Sequence, residues 1–460
     1  PVAWRDRTQA THQDRHAEMN TVAPDKGDEE KRQVGFSSDR QRDIGRNQRA
    51  KHDRPGRLAP VAVERWVDEH QLHLTCDSEV RRSGRFVGAQ TVADAALARL
   101  DLDGYARRRN EVLPEHARGA TALSPYIRHG LVSLPEAWAA AASAPSKDRQ
   151  KFRDELMWQE YARHVYARLG ARTRDGIRFE PSRDTLPGDP WDHSMSCMDA
   201  SLSELENDGW VVNQTRMWLA SQWAVRHGID WRAGEDRFFT HLLDGSRAAN
   251  RLGWQWTIGA GTGKPYGFSR WQVEKRAPEL CDGCARRDAC PVQDWPDERE
   301  LVAVPDDRRL RVDDDPAATS GPAEVESTGR AEGVWLTAES LGDRDPALAA
   351  NPDLPIVFVL DEPLLRRLQL SSKRLVFLAE RLAELATTRP LEIRLGDPFD
   401  ELAGRTLATT FAPVPKARRL YERLDVVELH PWPWLVPPTT GPISSFSAWR
   451  KSRRAATAEP

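Results

Sequence analysis

The chain has 460 residues, with 67 Lys and Arg against 70 Asp and Glu and a formal charge of −3. That balance supplies no global attraction for nucleic acid, so any DNA contact has to come from a local arginine-lined surface. Five cysteines make no disulfide framework in so long a chain, and no apolar run of about 18 residues offers a membrane span. A reducing cytoplasm is the expected compartment, where clustered thiols more often hold metal than pair with one another. Seventeen tryptophans against six tyrosines is an unusual surplus, expected to lie mostly in core positions.

In chain order, residues 1–60 are polar, mixed in charge and without period, which predicts a disordered tail. No signal-peptide pattern opens the chain, and Met19 is read as nearer the natural start. Residues 61–300 read as a helical domain. Within it, TVADAALARLDLDGYARRR (91–109), SLPEAWAAAASA (133–144) and DRQKFRDELMWQEYARHVYARLG (148–170) space their apolar residues three to four apart. Residues 301–332 are rich in Pro, Gly, Asp and Ser and predict a linker. Beyond it, GVWLTA, LPIVFVLD and PLEIRLGD predict strands, and SSKRLVFLAERLAELATTR between the last two predicts an amphipathic helix capped by serine. Alternating strands and helices over 333–436 imply a doubly wound, parallel, Rossmann-like α/β domain. The proline-rich residues 437–460 predict an irregular tail.

Two stretches carry the chemistry. In ATALSPYIRHGLVS (120–133), Ser124 before Pro125 reads first as a helix cap, and helix N-termini also suit phosphate. More particular is GWVVNQTRMWLASQWAVRHGIDWRAGEDRFFTHLLDGSRAANRLGWQW (209–256), which sets Asn213 and Arg216 on one helical face ahead of Trp231, Asp244, Asn250, Trp254 and Trp256.

This stretch resembles the flavin-binding helical domain of the photolyase/cryptochrome family. The matching residues are Gly209, Trp210, Asn213, Arg216, Met217, Asp230, Trp231, Asp244, Gly245, Ala249, Asn250, Gly253, Trp254, Gln255 and Trp256. Upstream, LSPYIRHG and RDELMWQEYARH resemble two further family motifs, so the likeness runs over about 90–290. The resemblance implies that Tyr105, Thr121, Leu123 and Ser124 hold the phosphates and ribityl chain of FAD. It places Trp158, Asn213, Arg216, Asp244, Ser246 and Asn250 around the flavin ring and adenine. Glu160, with Asn213 and Met217, is implied to meet a pyrimidine dimer, and Trp254 and Trp231 to relay electrons to the flavin. For the two tryptophans the plain alternative is a core role. Ser246 stands where the family commonly has aspartate, Ala122 where many members have arginine, and SRWQVEK (269–275) replaces a usual segment.

Cys281, Cys284 and Cys290 form C-x-x-C followed by a third cysteine and Pro291, a spacing open to zinc, to an iron–sulfur cluster or to free thiols. With Lys264-Pro265-Tyr266 ahead of them and Cys197 upstream, they resemble the iron–sulfur bacterial cryptochromes and photolyases. That likeness implies a 4Fe–4S cluster on Cys197, Cys281, Cys284 and Cys290. The segment from Trp335 to Pro398 resembles the family's α/β antenna domain, here following the flavin domain, which implies a circular permutation. The usual antenna signature is altered to ESLGDRD, and the antenna chromophore is left unassigned. GAGTGKP (259–265) only imitates a phosphate loop, since its spacing is short and Pro265 follows Lys264. The resemblance thus implies a monomeric, light-dependent deoxyribodipyrimidine photolyase acting on damaged DNA. The alternative is a cryptochrome-type photoreceptor without repair.

Overall fold

Up to residue 300, the computed structural model, which describes residues 60–181 and 186–456, is built of helices with one short strand. The tail expected at 1–60 lies outside the described residues, apart from Pro60. The helices are α1 (Pro60–Gln71), α2 (Gln90–Ala98), α3 (Tyr105–Arg108), α4 (Ser124–Arg128), α5 (Leu134–Ala140), α6 (Ser146–Leu169), α7 (Ser196–Asp208), α8 (Asn213–Ala220), α9 (Trp231–His241), α10 (Ala249–Thr257) and α11 (Arg270–Arg276). Local chemistry sets several of their ends. Ser133 and Glu136 form a reciprocal capping box at α5, and Asp230 accepts the Arg232 N–H at the start of α9. The 24-residue α6 buries Phe152, Leu156, Tyr161, Val165 and Leu169, the three-to-four spacing read from the sequence. After α8 the chain widens into a π-helical turn over Ser221–Arg226. Strand β1 (Phe179–Pro181) pairs antiparallel with β2 (Leu301–Ala303), tying the middle of the helical region to its exit.

The second half follows as α12 (Pro316–Ser320), β3 (Glu326–Ser327), β4 (Gly333–Leu336), α13 (Pro346–Ala350), β5 (Ile356–Asp361), α14 (Glu362–Leu368), α15 (Ser372–Leu385), β6 (Leu391–Gly396), α16 (Pro398–Glu401), β7 (Leu407–Thr410), α17 (Pro415–Arg423), β8 (Val426–His430) and α18 (Phe446–Ala456). The sheet order is β3-β8-β7-β4-β5-β6, parallel except for β3. From β4 the chain winds out through β5 and β6, then returns to β7 and β8 on the other side, the doubly wound plan. The three strands read from the sequence are β4, β5 and β6.

Two expectations are corrected. The segment read as a linker is structured: Asp313 meets Arg168 of α6 at 3.2 Å, and β3 extends the sheet. The segment read as an irregular tail ends in α18, because Phe446 and Trp449, three residues apart, share one face that packs on Tyr161 of α6.

One hydrophobic cluster runs through both halves, joining Phe86, Leu123, Tyr126 and Trp210 to Phe358, Phe377 and Leu382. Its centre is α15, most of whose residues are buried, including Lys373, Arg374 and Arg381. Close backbone approach makes the fit possible. A Cβ on Gly88 would stand 1.8 Å from the Phe377 carbonyl oxygen, and one on Gly342 would stand 2.2 Å from that of Gly130. Ser371 occupies the capping position of α15, as read, but its hydroxyl donates to Asp77 instead. It is Asp77, from the helical half, that accepts the Ser372 N–H at 2.6 Å. Among the described residues no helix is long and apolar enough to cross a membrane.

Candidate functional site

The matched motif residues gather where α8, α10 and the loop before α10 meet α4. Gly209, at φ +69, ends α7 and sends the chain into Trp210, whose indole N–H donates to the Ser124 hydroxyl at 3.0 Å. Ser124 therefore does not cap α4: Leu123 holds the capping position, and the serine side chain ties α4 to the segment before α8. Arg216 on α8 donates to Asp244 Oδ2 at 2.8 Å. The other oxygen, Asp244 Oδ1, is buried with no partner among the described residues.

Around that carboxylate the loop is held by arginines. Arg128 and Arg374 both donate to the Gly245 carbonyl, at 3.0 and 3.1 Å, and Arg374 also reaches the Phe239 carbonyl. Burial first, and then neighbouring Arg128, pull the Arg374 guanidinium down to about 9. Ser246 accepts the Ala249 N–H at 3.0 Å, starting α10. Asn250 is buried and donates to the Glu235 carbonyl and carboxylate at 3.2 and 3.0 Å. Burial raises Glu235 above the usual carboxylate range, although Arg247 and Arg251 oppose that shift.

Other matched positions are more open. Asn213, the first residue of α8, is exposed, as are Ala249 and Gly253 on α10, and Met217 is half-buried one turn along from Asn213. Thr121 is half-buried ahead of α4, whereas Leu123 is part of the shared core. Tyr105 is buried edge-on against Phe152, and burial pushes its phenol far above its ordinary value.

Trp158 and Glu160 stand apart from this group. The Trp158 ring stacks on Phe446 of α18 at 4.0 Å and 11°. Glu160 is fully buried, and its carboxylate accepts the Val436 N–H at 2.8 Å. Along the same face of α6, the Tyr161 hydroxyl donates to the Ile443 carbonyl at 2.8 Å, and Arg168 donates to those of Thr439 and Gly441. His164 takes the Trp449 indole N–H on Nδ1 at 2.9 Å, which leaves Nε2 to face the Val436 carbonyl. The chain's own C-terminal segment thus packs on both Trp158, which the resemblance sets beside the flavin, and Glu160, which it sets beside the dimer.

The two relay candidates are core residues. Trp254 packs edge-on against Phe238 at 5.1 Å, and its indole N–H has no partner among the described residues. Trp231 is 1% exposed, donates to Glu180 at 3.3 Å and carries the Arg232 guanidinium 4.7 Å over its ring.

Cys197 on α7 is buried in the same hydrophobic cluster that Cys281 and Cys290 pack against. The Ser196 N–H donates to the Cys284 sulfur at 3.4 Å. Burial, and then Cys281, Cys290 and Cys284, push the Cys197 thiol up to about 12. The four cysteines therefore share one neighbourhood, but among the described residues no three Cys, His, Asp or Glu are grouped to hold a metal ion. The donor set suits a thiolate metal site, but no grouping of metal ligands supports the 4Fe–4S assignment, which carries no chemistry below.

The flavin fares better. Asp244 Oδ1 and Trp254 Nε1 offer a buried acceptor and a buried donor without protein partners. Above Gly253 a Cβ would meet nothing within 4 Å, so α10 leaves open space on its exposed face. Of these, the unpartnered Asp244 Oδ1 is the atom suited to accept a hydrogen bond from a bound group.

Residues 152–277 match the family described as the FAD binding domain of DNA photolyase. The chain is 31% identical over 229 residues to the deoxyribodipyrimidine photo-lyase of Synechococcus sp., covering 44% of this chain and 45% of that one. It is 32% identical over 194 residues to the enzyme of that name from Vibrio cholerae, covering 38% and 41%. A bacterial class III photolyase structure from Agrobacterium tumefaciens aligns at 26% identity over 43% of this chain and 44% of that one, with a TM-score of 0.35. The chain spans less than half the length of these curated relatives, and the similarity to them supports an FAD-binding domain of the photolyase type.

Proposed function

We propose that the chain is a light-dependent DNA repair flavoprotein that splits pyrimidine dimers, with FAD held around Asp244. The observation that carries this reading is the convergence of Arg216, Asp244, Ser246 and Asn250 within the segment matching a photolyase FAD-binding domain. When bound, FAD supplies a light-excited electron that opens the dimer and recovers it afterwards. The protein's part is positioning. Arg216 fixes Asp244 in one orientation, leaving Oδ1 free to accept from the cofactor. Asn250, locked by Glu235, presents its amide oxygen. Trp254 supplies electrons from the core side. On this reading Asn213, exposed at the start of α8, and the half-buried Met217 one turn on would meet an extruded lesion. The α/β half is read as an antenna-like domain set after the flavin domain.

A second reading, a photoreceptor without repair, is favoured by one observation: the C-terminal segment covers Trp158 and Glu160. Illuminating FAD-loaded protein with a dimer-containing oligonucleotide separates the two. Loss of dimers in the light but not in the dark supports repair. Light-driven flavin reduction with the dimers intact refutes repair and selects the photoreceptor.

A further inference from the structure

We propose that Trp223, a residue outside the matched pattern, is the second member of the electron relay from Trp254, in place of Trp231. The inference rests on the flavin reading above. Gly234 is the key to the geometry. A Cβ there would lie 2.2 Å from Trp254 Cη2 and 3.1 Å from Trp223 Cδ1, so both rings enter the gap that this glycine leaves. Trp223 sits in the π-helical turn Ser221–Arg226, a widened turn that recurs at functional sites. Its indole N–H is fixed on the Asp230 carbonyl at 3.0 Å.

Exposure separates the alternatives. A relay that ends at its second member must bring that member to where a reductant in solution can reach it. Trp231 is 1% exposed and has no aromatic ring partner among the described residues. Trp191 touches Trp223 at 4.7 Å between ring centroids, but it too is 1% exposed and leads inward. Trp223 alone of the three is partly open to solvent while bordering, with Trp254, the gap at Gly234. Charge does not decide between Trp223 and Trp231, because Glu180 and Asp230 offset the Arg232 cation over Trp231.

The electron count closes in three transfers. Trp254 gives one electron to the light-excited oxidised flavin. Trp223 gives one to the Trp254 cation. A thiolate reductant in solution gives one to Trp223 and leaves as a thiyl radical, two of which couple to a disulfide.

The test compares Trp223→Phe, Trp231→Phe and Trp254→Phe in FAD-loaded protein under anaerobic blue light with dithiothreitol. Flavin bleaching and the transient absorption of the tryptophan radical are followed, and near-UV circular dichroism and FAD content serve as folding controls. Trp223→Phe is expected to slow bleaching about tenfold or more and to remove the long-lived radical, while Trp231→Phe stays within about twofold of wild type. Wild-type bleaching in folded, FAD-loaded Trp223→Phe, with the block found in Trp231→Phe, overturns the relay. Failure of the folded wild type to retain FAD instead overturns the flavin reading, and the relay with it.

Discussion

At the residue scale, His129 shows how a side chain can join the two halves of the molecule without titrating near neutral pH. Its ring lies between the carbonyls of Ala338 and Leu243, at 2.9 and 3.2 Å. Burial first, and then Arg128, pull it down to about 3. A neutral ring carries one N–H, so only one of the two contacts is a hydrogen bond, and the shorter one to Ala338 is favoured. The folded state thus holds the neutral form, while the unfolded state takes up a proton below about pH 6.5. Stability from this site is full above that value and is lost as pH falls towards about 3. Melting temperature is expected to drop over that window, with a shallower drop in His129→Gln. An identical pH profile in the variant contradicts the assignment. Glu160 teaches a different lesson at this scale. Its place in a motif was plain from the sequence, but its partner, Val436, lies 276 residues away, and nothing local predicts that pairing.

At the element scale, periodicity was a reliable guide where one face met the core, as in α6, and for the strands β4, β5 and β6. It missed β7 and β8, which are short and flank the strongly charged α17. It also missed α18, whose two apolar anchors are set among basic residues. Capping rules placed Ser371 correctly and misjudged its bond, because Asp77 from the other half takes over the helix terminus. The weight of α18 can be measured. Trp449 is 1% exposed against α6, so Trp449→Ala is expected to cost about 3–5 kcal/mol in denaturant unfolding. It should also open Trp158 to a collisional fluorescence quencher. A loss below about 1 kcal/mol, with Trp158 unchanged, would show that α18 does not close this face.

At the scale of the whole molecule, the helical and α/β halves share one core, and the candidate site depends on both. Arg374 of α15 and Arg128 of α4 converge on the Gly245 carbonyl beside Asp244, so the second half helps to shape the loop that the first half's motif encodes. The motif residues could be read directly along the chain. Clamps of this kind could not, because arginines bonding to backbone carbonyls leave no pattern in the sequence. The central claim is that this joint framework holds one FAD at Asp244. Its most direct test is fluorescence titration of full-length apoprotein with FAD, alongside Asp244→Ala and Arg216→Ala. The account predicts one FAD per wild-type chain, and affinity at least about tenfold weaker in both variants, as expected for losing hydrogen bonds to a charged group. Folded wild-type protein that takes up no FAD, or variants that bind it as tightly as wild type, would contradict the claim.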